Sequence, residues 1–325
     1  MNILVAGAGG FIGGHLVNDL IIKKHNVISV DRKPFHDWYQ LNELSNNIEN
    51  LDLKELINCQ KVTKNIDHVI NLACDMGGIG YITSYKADCM LSVLVNTNLL
   101  RASKDNSVKK FFFSSSACIY PHDLQSSNKS LALKESDAYP ANCQDGYGWE
   151  KLFSERMCRH FKEDFGLKVR IARFHNCYGP YGAWKGGREK APAAIARKFV
   201  EAKLLKKDDI EIWGDGNQVR SFMYVDDVVT GIQKLIDSNF SEPLNVGSSE
   251  DVSINTLADI LEEISGVKPK RNYNLSLPQG VYNRNSDNTL IKETLDWEPS
   301  ISLKSGMEKT FKWIYDEFKK NTKLT

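Results

Sequence analysis

Gly7-Ala8-Gly9-Gly10-Phe11-Ile12-Gly13 follows directly on the apolar stretch Ile3-Leu4-Val5-Ala6 and opens a helical pattern that continues to Ile22. Glycines at 7, 10 and 13 suit a tight turn, close backbone approach to a pyrophosphate, and close packing of helix on strand. A strand that feeds a helix through such a turn aims free N–H groups and the positive end of the helix dipole at an anion. A glycine triplet by itself also marks ordinary turns. Its place between a strand pattern and a helix pattern is what makes it a dinucleotide site, with Gly7, Gly10, Phe11, Ile12 and Gly13 against the cofactor.

Working outward, residues 27–30 form a second short β-branched run that ends at Asp31, eighteen residues after Gly13. A carboxylate there accepts hydrogen bonds from the adenosine ribose hydroxyls and repels a 2′-phosphate, so the cofactor reads as NAD rather than NADP. Arg32 pulls the other way, since a guanidinium offsets that repulsion, and an aspartate that merely opens a turn is the plainer alternative. Asp52, after the next strand pattern, is a second residue placed to close around the adenine. Further runs at 68–72, 110–114 and 169–174, alternating with helical patterns at 91–103 and 145–165, predict a parallel sheet flanked by helices. The fold class is therefore α/β: a Rossmann-type doubly wound parallel sheet with a smaller C-terminal α/β substrate lobe. The cofactor domain is expected over 1–175, with 218–240 packing back onto it, and the substrate lobe over 176–217 and 241–325. In that lobe the pattern predicts helices at 192–202, 253–264, 289–294 and 303–317, and strands at 210–213 and 221–224. Residues 124–130, rich in Ser, Gln and Asn, read as an exposed loop.

Composition narrows the partners. The 325 residues carry a net charge of only +1, with 42% hydrophobic and 26% charged residues. Nothing in that balance calls for nucleic acid or an anionic membrane. No apolar run approaches the roughly 18 residues of a spanning helix. The N-terminus shows no signal-peptide pattern, and a cytoplasmic protein is expected. Seven cysteines at irregular spacing, with no C-x-x-C pair, argue against a disulfide framework and against a metal site. Most should be buried small hydrophobes.

The chemistry centres on Tyr147-Gly148-Trp149-Glu150-Lys151, which stacks a phenol and an ammonium on one helix face. A neighbouring cation favours the phenolate and is expected to lower the tyrosine pKa from about 10 toward neutrality. Tyr147 then becomes a base for a hydroxyl proton while hydride leaves for NAD. The bland alternative is a core tyrosine on an amphipathic helix. Ser116, in Ser114-Ser115-Ser116-Ala117-Cys118-Ile119-Tyr120-Pro121, lies at the carboxyl end of a strand, where ligands sit in such sheets, and is placed to bond the same oxygen. His175, ending another buried strand, reads as a core histidine.

The glycine turn, the strand-end serine and Tyr-x-x-x-Lys together resemble the extended short-chain dehydrogenase family along essentially the whole chain. Members typically act on nucleotide sugars. Within it, Ala73-Cys74-Asp75-Met76-Gly77-Gly78-Ile79-Gly80, the Ser114–Pro121 run, Arg173-Phe174-His175-Asn176-Cys177-Tyr178-Gly179-Pro180 and Trp184-Lys185-Gly186-Gly187-Arg188-Glu189-Lys190 resemble the GDP-mannose 3,5-epimerase branch, as do Trp213-Gly214-Asp215-Gly216 and Arg284-Asn285-Ser286-Asp287-Asn288. That resemblance implies transient oxidation of C4 of a GDP-sugar, with Cys118 and Lys190 as the acid–base pair that inverts C3 and C5. It also implies sugar or phosphate contacts from Gly77, Ser116, Asn176, Arg188, Lys190, Lys198 and Arg284, and a homodimer formed through two helices of the first lobe. The chain departs from the pattern at Tyr282-Asn283, where members usually carry Arg-Gly, at the phosphate or base end. A 4-epimerase of another nucleotide sugar and a non-catalytic NAD-binding protein remain the alternatives.

Overall fold

The computed structural model describes residues 1–126 and 131–322; part of the loop expected at 124–130 lies outside them. Seven parallel strands build the large sheet: β1 (Asn2–Ala6), β2 (Asn26–Val30), β3 (Asn46–Ile48), β4 (His68–Asn71), β5 (Lys110–Ser116), β7 (Lys168–Phe174) and β12 (Pro243–Val246). Their spatial order is β12-β7-β5-β4-β1-β2-β3. The second sheet, in the order β13-β10-β15-β6, joins β6 (Ala132–Leu133), β10 (Val219–Arg220), β13 (Val252–Ser253) and β15 (Asn283–Ser286). Two further strand pairs complete the set, β8 (Cys177–Tyr178) with β11 (Met223–Tyr224), and β9 (Asp209–Trp213) with β14 (Lys270–Asn274).

Helices cover both faces of the large sheet, as an all-parallel sheet requires. On one face α1 (Phe11–Ile22) and α8 (Val225–Asp237) share a core with the strands, through Leu16, Val17 and Leu20 against Val228, Ile232 and Leu235. On the other lie α2 (Leu56–Val62), α5 (Ser92–Asp105) and α6 (Asp145–Phe165), around Leu99, Leu100, Phe111, Phe113 and Phe161. The short helices α3 (Ile79–Ser84) and α4 (Lys86–Met90) lie between β4 and α5. The second lobe packs α7 (Ala191–Leu205), α9 (Ile254–Ser265) and α11 (Leu303–Thr322) around Phe199, Leu257, Leu261 and Met307. Finally, α10 (Thr289–Leu295) returns Ile291 to the core beneath β12. Gly166, at φ +70°, ends α6 in the left-handed conformation that glycine adopts without a Cβ penalty.

Two expectations change. The strand β12 belongs to the large sheet, in parallel register with β7, although the sequence pattern places 241–325 in the second lobe. It is an edge strand of four residues, too short for its pattern to reveal where it docks. The strand expected at 221–224 forms only over Met223–Tyr224, as β11 paired with β8, while β10 just before it joins the second sheet, where Arg220 pairs with Arg284.

The sheet's winding fixes the site. From β1 the chain first builds outward through β2 and β3, then crosses to β4, β5, β7 and β12 on the other side. The carboxyl ends of β1 and β4 therefore open a crevice at the switch point.

Candidate active site

The glycine turn occupies that crevice. Gly7 has φ +86°, and a Cβ there would lie 2.9 Å from the backbone N of Ala73, just past β4. A Cβ on Gly13 would sit 2.1 Å from the Gly7 carbonyl oxygen, so only glycine lets α1 start this close to the turn. The helix begins with Gly10 as its N-cap, without a side-chain cap and without an acidic residue in its first turn. Its N–H groups and dipole thus face the crevice with no competing carboxylate, a fit for a pyrophosphate. Asp31 is buried at the end of β2 and accepts a hydrogen bond from the Lys33 backbone N–H at 3.0 Å. Asp52 lies nearby, since the Leu51 N–H donates to the Asp31 carbonyl at 3.2 Å. Arg32 turns to Asp75, 2.8 Å away.

Across the crevice stand Ser116 and α6. Gly148 lets the first turn of α6 press on the 117–119 turn, where a Cβ would come within 2.3 Å of the Cys118 carbonyl oxygen. Tyr147 is thereby buried beside Cys118, and its hydroxyl is hydrogen-bonded with Ser116. Lys151, one turn on, is 1% exposed; its Nζ lies 5.6 Å from the Tyr147 ring centre and 4.9 Å from that of Phe113. Glu150 approaches the same Nζ at 3.5 Å. Burial, reinforced by Cys74, Cys118 and Glu150, pushes the Tyr147 phenol well above its ordinary value, and the Ser116 hydrogen bond opposes them. The expectation that Lys151 lowers it is thus reversed in the protein alone, because desolvation outweighs the cation. Burial pulls Lys151 down, but Cys74 and Glu150 more than offset it and hold the ammonium above its usual range.

Cys118 is buried, and its sulfur accepts from Arg284 Nη1 at 3.2 Å. The other nitrogens of Arg284 donate to Gln125 at 2.7 Å and Gln144 at 2.8 Å, both neutral amides. Arg220 lies beside it and donates to the backbone carbonyls of Val219, Gln279, Val281 and Tyr282. Burial and then the Arg284 charge push Arg220 down to about 9. Two guanidiniums solvated by neutral groups form a strong anion attractor.

Lys190 is the N-cap residue of α7 and acts electrostatically on Cys74 and Cys177, with Cys74 in turn acting on Tyr147. Gly78 brings the first lobe against this point, since a Cβ there would lie 2.3 Å from the Glu189 carbonyl oxygen. Gly77 opens the same segment, against Tyr81. Asn176 donates to the Ser221 carbonyl at 3.0 Å. Lys198 stands farther out, bonded to the Glu211 carbonyl at 2.7 Å and 5.9 Å from the Trp213 ring, in a cavity that Asn272, Tyr273 and Asn274 also line. Arg188 is bonded to Asp75, Met76 and Tyr81, beside Gly77. His175 is fully buried against Asn245, as a core histidine, with burial pushing it down to about 3. Four residues of this neighbourhood escaped the sequence reading: Cys74, Glu150, Arg220 and Asp75. Three of them lie inside the segments quoted above, but no role could be read there, because they matter through what the fold places beside them.

A doubly wound sheet with a pyrophosphate cradle at its switch point, facing a serine, tyrosine and lysine, defines a dinucleotide-dependent enzyme of the short-chain dehydrogenase type. The chain belongs to the NAD dependent epimerase/dehydratase family, whose model matches residues 3–247. GDP-mannose 3,5-epimerase 1 of Oryza sativa subsp. indica is 44% identical over 321 residues, covering 98% of this chain and 83% of that protein. GDP-mannose 3,5-epimerase of Arabidopsis thaliana is also 44% identical, over 98% of this chain and 84% of its own length. Among solved structures, UDP-glucose 4-epimerase of Thermotoga maritima with UDP-glucose superposes at a TM-score of 0.88, with 26% identity over 98% of this chain and 100% of that one. UDP-glucuronic acid 4-epimerase of Bacillus cereus, in complex with UDP-glucuronic acid and NAD, gives a TM-score of 0.81 at 26% identity, over 98% of this chain and 100% of that one. NAD is the cofactor of this family, and the cradle described above fits it.

Proposed function

We propose that this protein epimerises a GDP-hexose at C3 and C5, converting GDP-mannose to GDP-L-galactose and GDP-L-gulose. The observation that carries the reading is the thiol lining of the Tyr147 phenol beyond Ser116 and Lys151: Cys118 packs with Tyr147 and Cys74 packs against the same cluster, while Gly78 seats the start of α7, where Lys190 is the N-cap, against the segment that carries Cys74. A simple C4 oxidoreductase has no use for these extra proton carriers. The 44% identity to two plant GDP-mannose 3,5-epimerases supports the same substrate.

NAD would be held by Gly7, Gly10, Phe11, Ile12, Gly13, Asp31 and Asp52, and would supply a reversible hydride acceptor for C4. Tyr147 takes the C4 hydroxyl proton, Ser116 holds that oxygen, and the Lys151 ammonium stabilises the phenolate. The C4 ketone of the sugar acidifies the hydrogens on C3 and C5. At each carbon one of the pair Cys118 and Lys190 removes the proton and the other delivers a proton to the opposite face, which inverts the centre. Arg284 and Arg220 bind the diphosphate, Asn176 the sugar, and Lys198 the outer, nucleotide end. The Lys198 ammonium is shifted down, chiefly by burial, so an anion placed there would reward its charge.

Incubation with GDP-mannose in heavy water is expected to place deuterium at C3 and C5, read by NMR. Inversion at C4 with no deuterium at either carbon would make the protein a 4-epimerase instead. The active unit is proposed to be a homodimer in the cytoplasm. Seven free thiols fit a reducing compartment. Met90, Leu91 and Leu94 near the start of α5, and Trp149 and Phe153 on the adjoining α6, leave apolar side chains exposed for a second copy to cover. Leu94→Arg with Phe153→Arg should sediment as a monomer; an unchanged dimer would place the interface elsewhere.

A further inference from the structure

Asp75 lies in the segment after β4, at the border of the two lobes, and no step above uses it. Its side chain is 14% exposed, yet cations reach it from two sides. Oδ2 accepts from Arg32 Nη2 at 2.8 Å, and Oδ1 accepts from Arg188 Nη1 and from the Tyr81 hydroxyl, both at 3.0 Å. The Asp75 N–H donates to Ser92 Oγ at 2.8 Å, which ties the segment to α5. Arg188 is gripped further: its Nη2 donates to the Tyr81 hydroxyl at 2.6 Å, its Nη1 to the Met76 carbonyl at 3.2 Å, and its guanidinium lies 3.9 Å from the Tyr81 ring centre.

Arg188 belongs to residues 184–190, the loop that ends in Lys190. Within it Gly186 and Gly187 take φ +88° and +86°, and a Cβ on either would meet nothing within 4 Å, so the middle of the loop stands open to solvent, with the Gly187 N–H donating to Glu189 within the loop at 2.7 Å. Trp184 anchors one end in the core of the second lobe, and Glu189 pairs with Arg197 at 3.4 Å at the other. Those contacts tie the loop to its own lobe. Among the described residues, its hydrogen bonds to the cofactor lobe run through Arg188: the three side-chain contacts, and the Gly78 N–H donating to the Arg188 carbonyl at 3.0 Å.

We propose that Asp75 is a positioning residue for the epimerisation, seating the Lys190 loop on the cofactor lobe through Arg188 while its second oxygen holds Arg32 beside Asp31. This rests on the reading above that Lys190 exchanges protons at C3 and C5. The consequence is selective: C4 oxidation needs Tyr147 and Lys151, which Asp75 does not touch, whereas proton exchange needs Lys190 within reach of the sugar. A carboxylate that grips two arginines and a tyrosine holds geometry that a neutral asparagine amide would hold poorly, since the charge is lost from three hydrogen bonds at once.

Asp75→Asn, Arg188→Gln and the double variant are compared as NAD-loaded proteins. In the Asp75→Asn variant deuterium incorporation at C3 and C5 should fall about 10- to 100-fold, the scale of a small misplacement of a reacting group. Its C4 oxidation, read from the near-ultraviolet absorbance of bound NADH after mixing with GDP-mannose and taken per bound NAD, should keep the wild-type rate. The double variant should be no slower than the slower single one. Exchange at the wild-type rate, or an equal loss of C4 oxidation, would overturn the proposal. Limited trypsin digestion gives a measure independent of chemistry: Asp75→Asn should speed cleavage at Lys185, Arg188 and Lys190, and an unchanged rate would also overturn it. Were the wild-type protein to exchange no deuterium, the function assigned above would fall, while the trypsin experiment would still decide whether Asp75 seats the loop.

Discussion

Glu150 and Glu155 lie five residues apart on α6; both are buried, and both face a cation, but the two pairs are built differently. Glu155 makes a two-pronged bond to Arg173, at 3.0 Å from Nε and 2.8 Å from Nη2, and also accepts from Ser115. Arg173 spends its remaining nitrogen on the Tyr120 hydroxyl and the Glu135 carbonyl, so the pair is hydrogen-bonded on every side. Glu150 accepts a bond from Ser154 at 3.0 Å, but its other oxygen stands 3.5 Å from Lys151 with no hydrogen bond. Lys151 is left with rings and a thiol for company. A buried pair repays its desolvation only with excellent geometry and satisfied neighbours. The Arg173 pair meets that condition and joins β5, β7 and α6. The Lys151 pair does not, and its incompleteness leaves the ammonium free to answer the phenol.

Replacing each glutamate by glutamine tests that contrast with the same chemical change. The larger effect on the fold is expected from Glu155→Gln, which strips the counter-charge from a fully engaged guanidinium. It should cost about 3–5 kcal/mol of unfolding free energy, measured by urea denaturation. A loss below about 1 kcal/mol would break the comparison. Glu150→Gln should cost only about 1 kcal/mol, since the glutamine oxygen keeps the Ser154 bond. Its mark should fall on the pH profile of turnover. Glu150 raises both Tyr147 and Lys151. Without its charge the phenol ionises at lower pH, and the ammonium is also lost at lower pH, so both limbs should move toward acid. A profile that keeps its position would show that Glu150 is as structural as Glu155.

Much of the first lobe was legible because its signals are local. The 11–22 and 145–165 helices read from apolar spacing agree with the bounds of α1 and α6, and the strand runs at 3–6, 27–30 and 169–174 each lie within one residue of β1, β2 and β7. The strand β12 escaped because it is a four-residue edge strand far along the chain from the sheet it joins. In the site, Tyr147 and Lys151 could be paired by helical spacing alone, and Gly7, Gly10 and Gly13 by the turn they make. Arg188 reads from the sequence as lining the pocket, but its partner Asp75, 113 residues away in the chain, could be found only in the folded protein.

The sequence by itself determined the elements that depend on neighbours along the chain: the glycine turn, the amphipathic helices, and the phenol and ammonium on one face. Contacts between distant residues were decided only when the chain closed on itself. Folding set Arg284, 166 residues away, against the sulfur of Cys118. It also buried Tyr147 deeply enough that desolvation, not Lys151, governs the phenol. Spacing fixes which side chains share a face, but how much water they keep and which charges they meet depend on the packing of the whole protein.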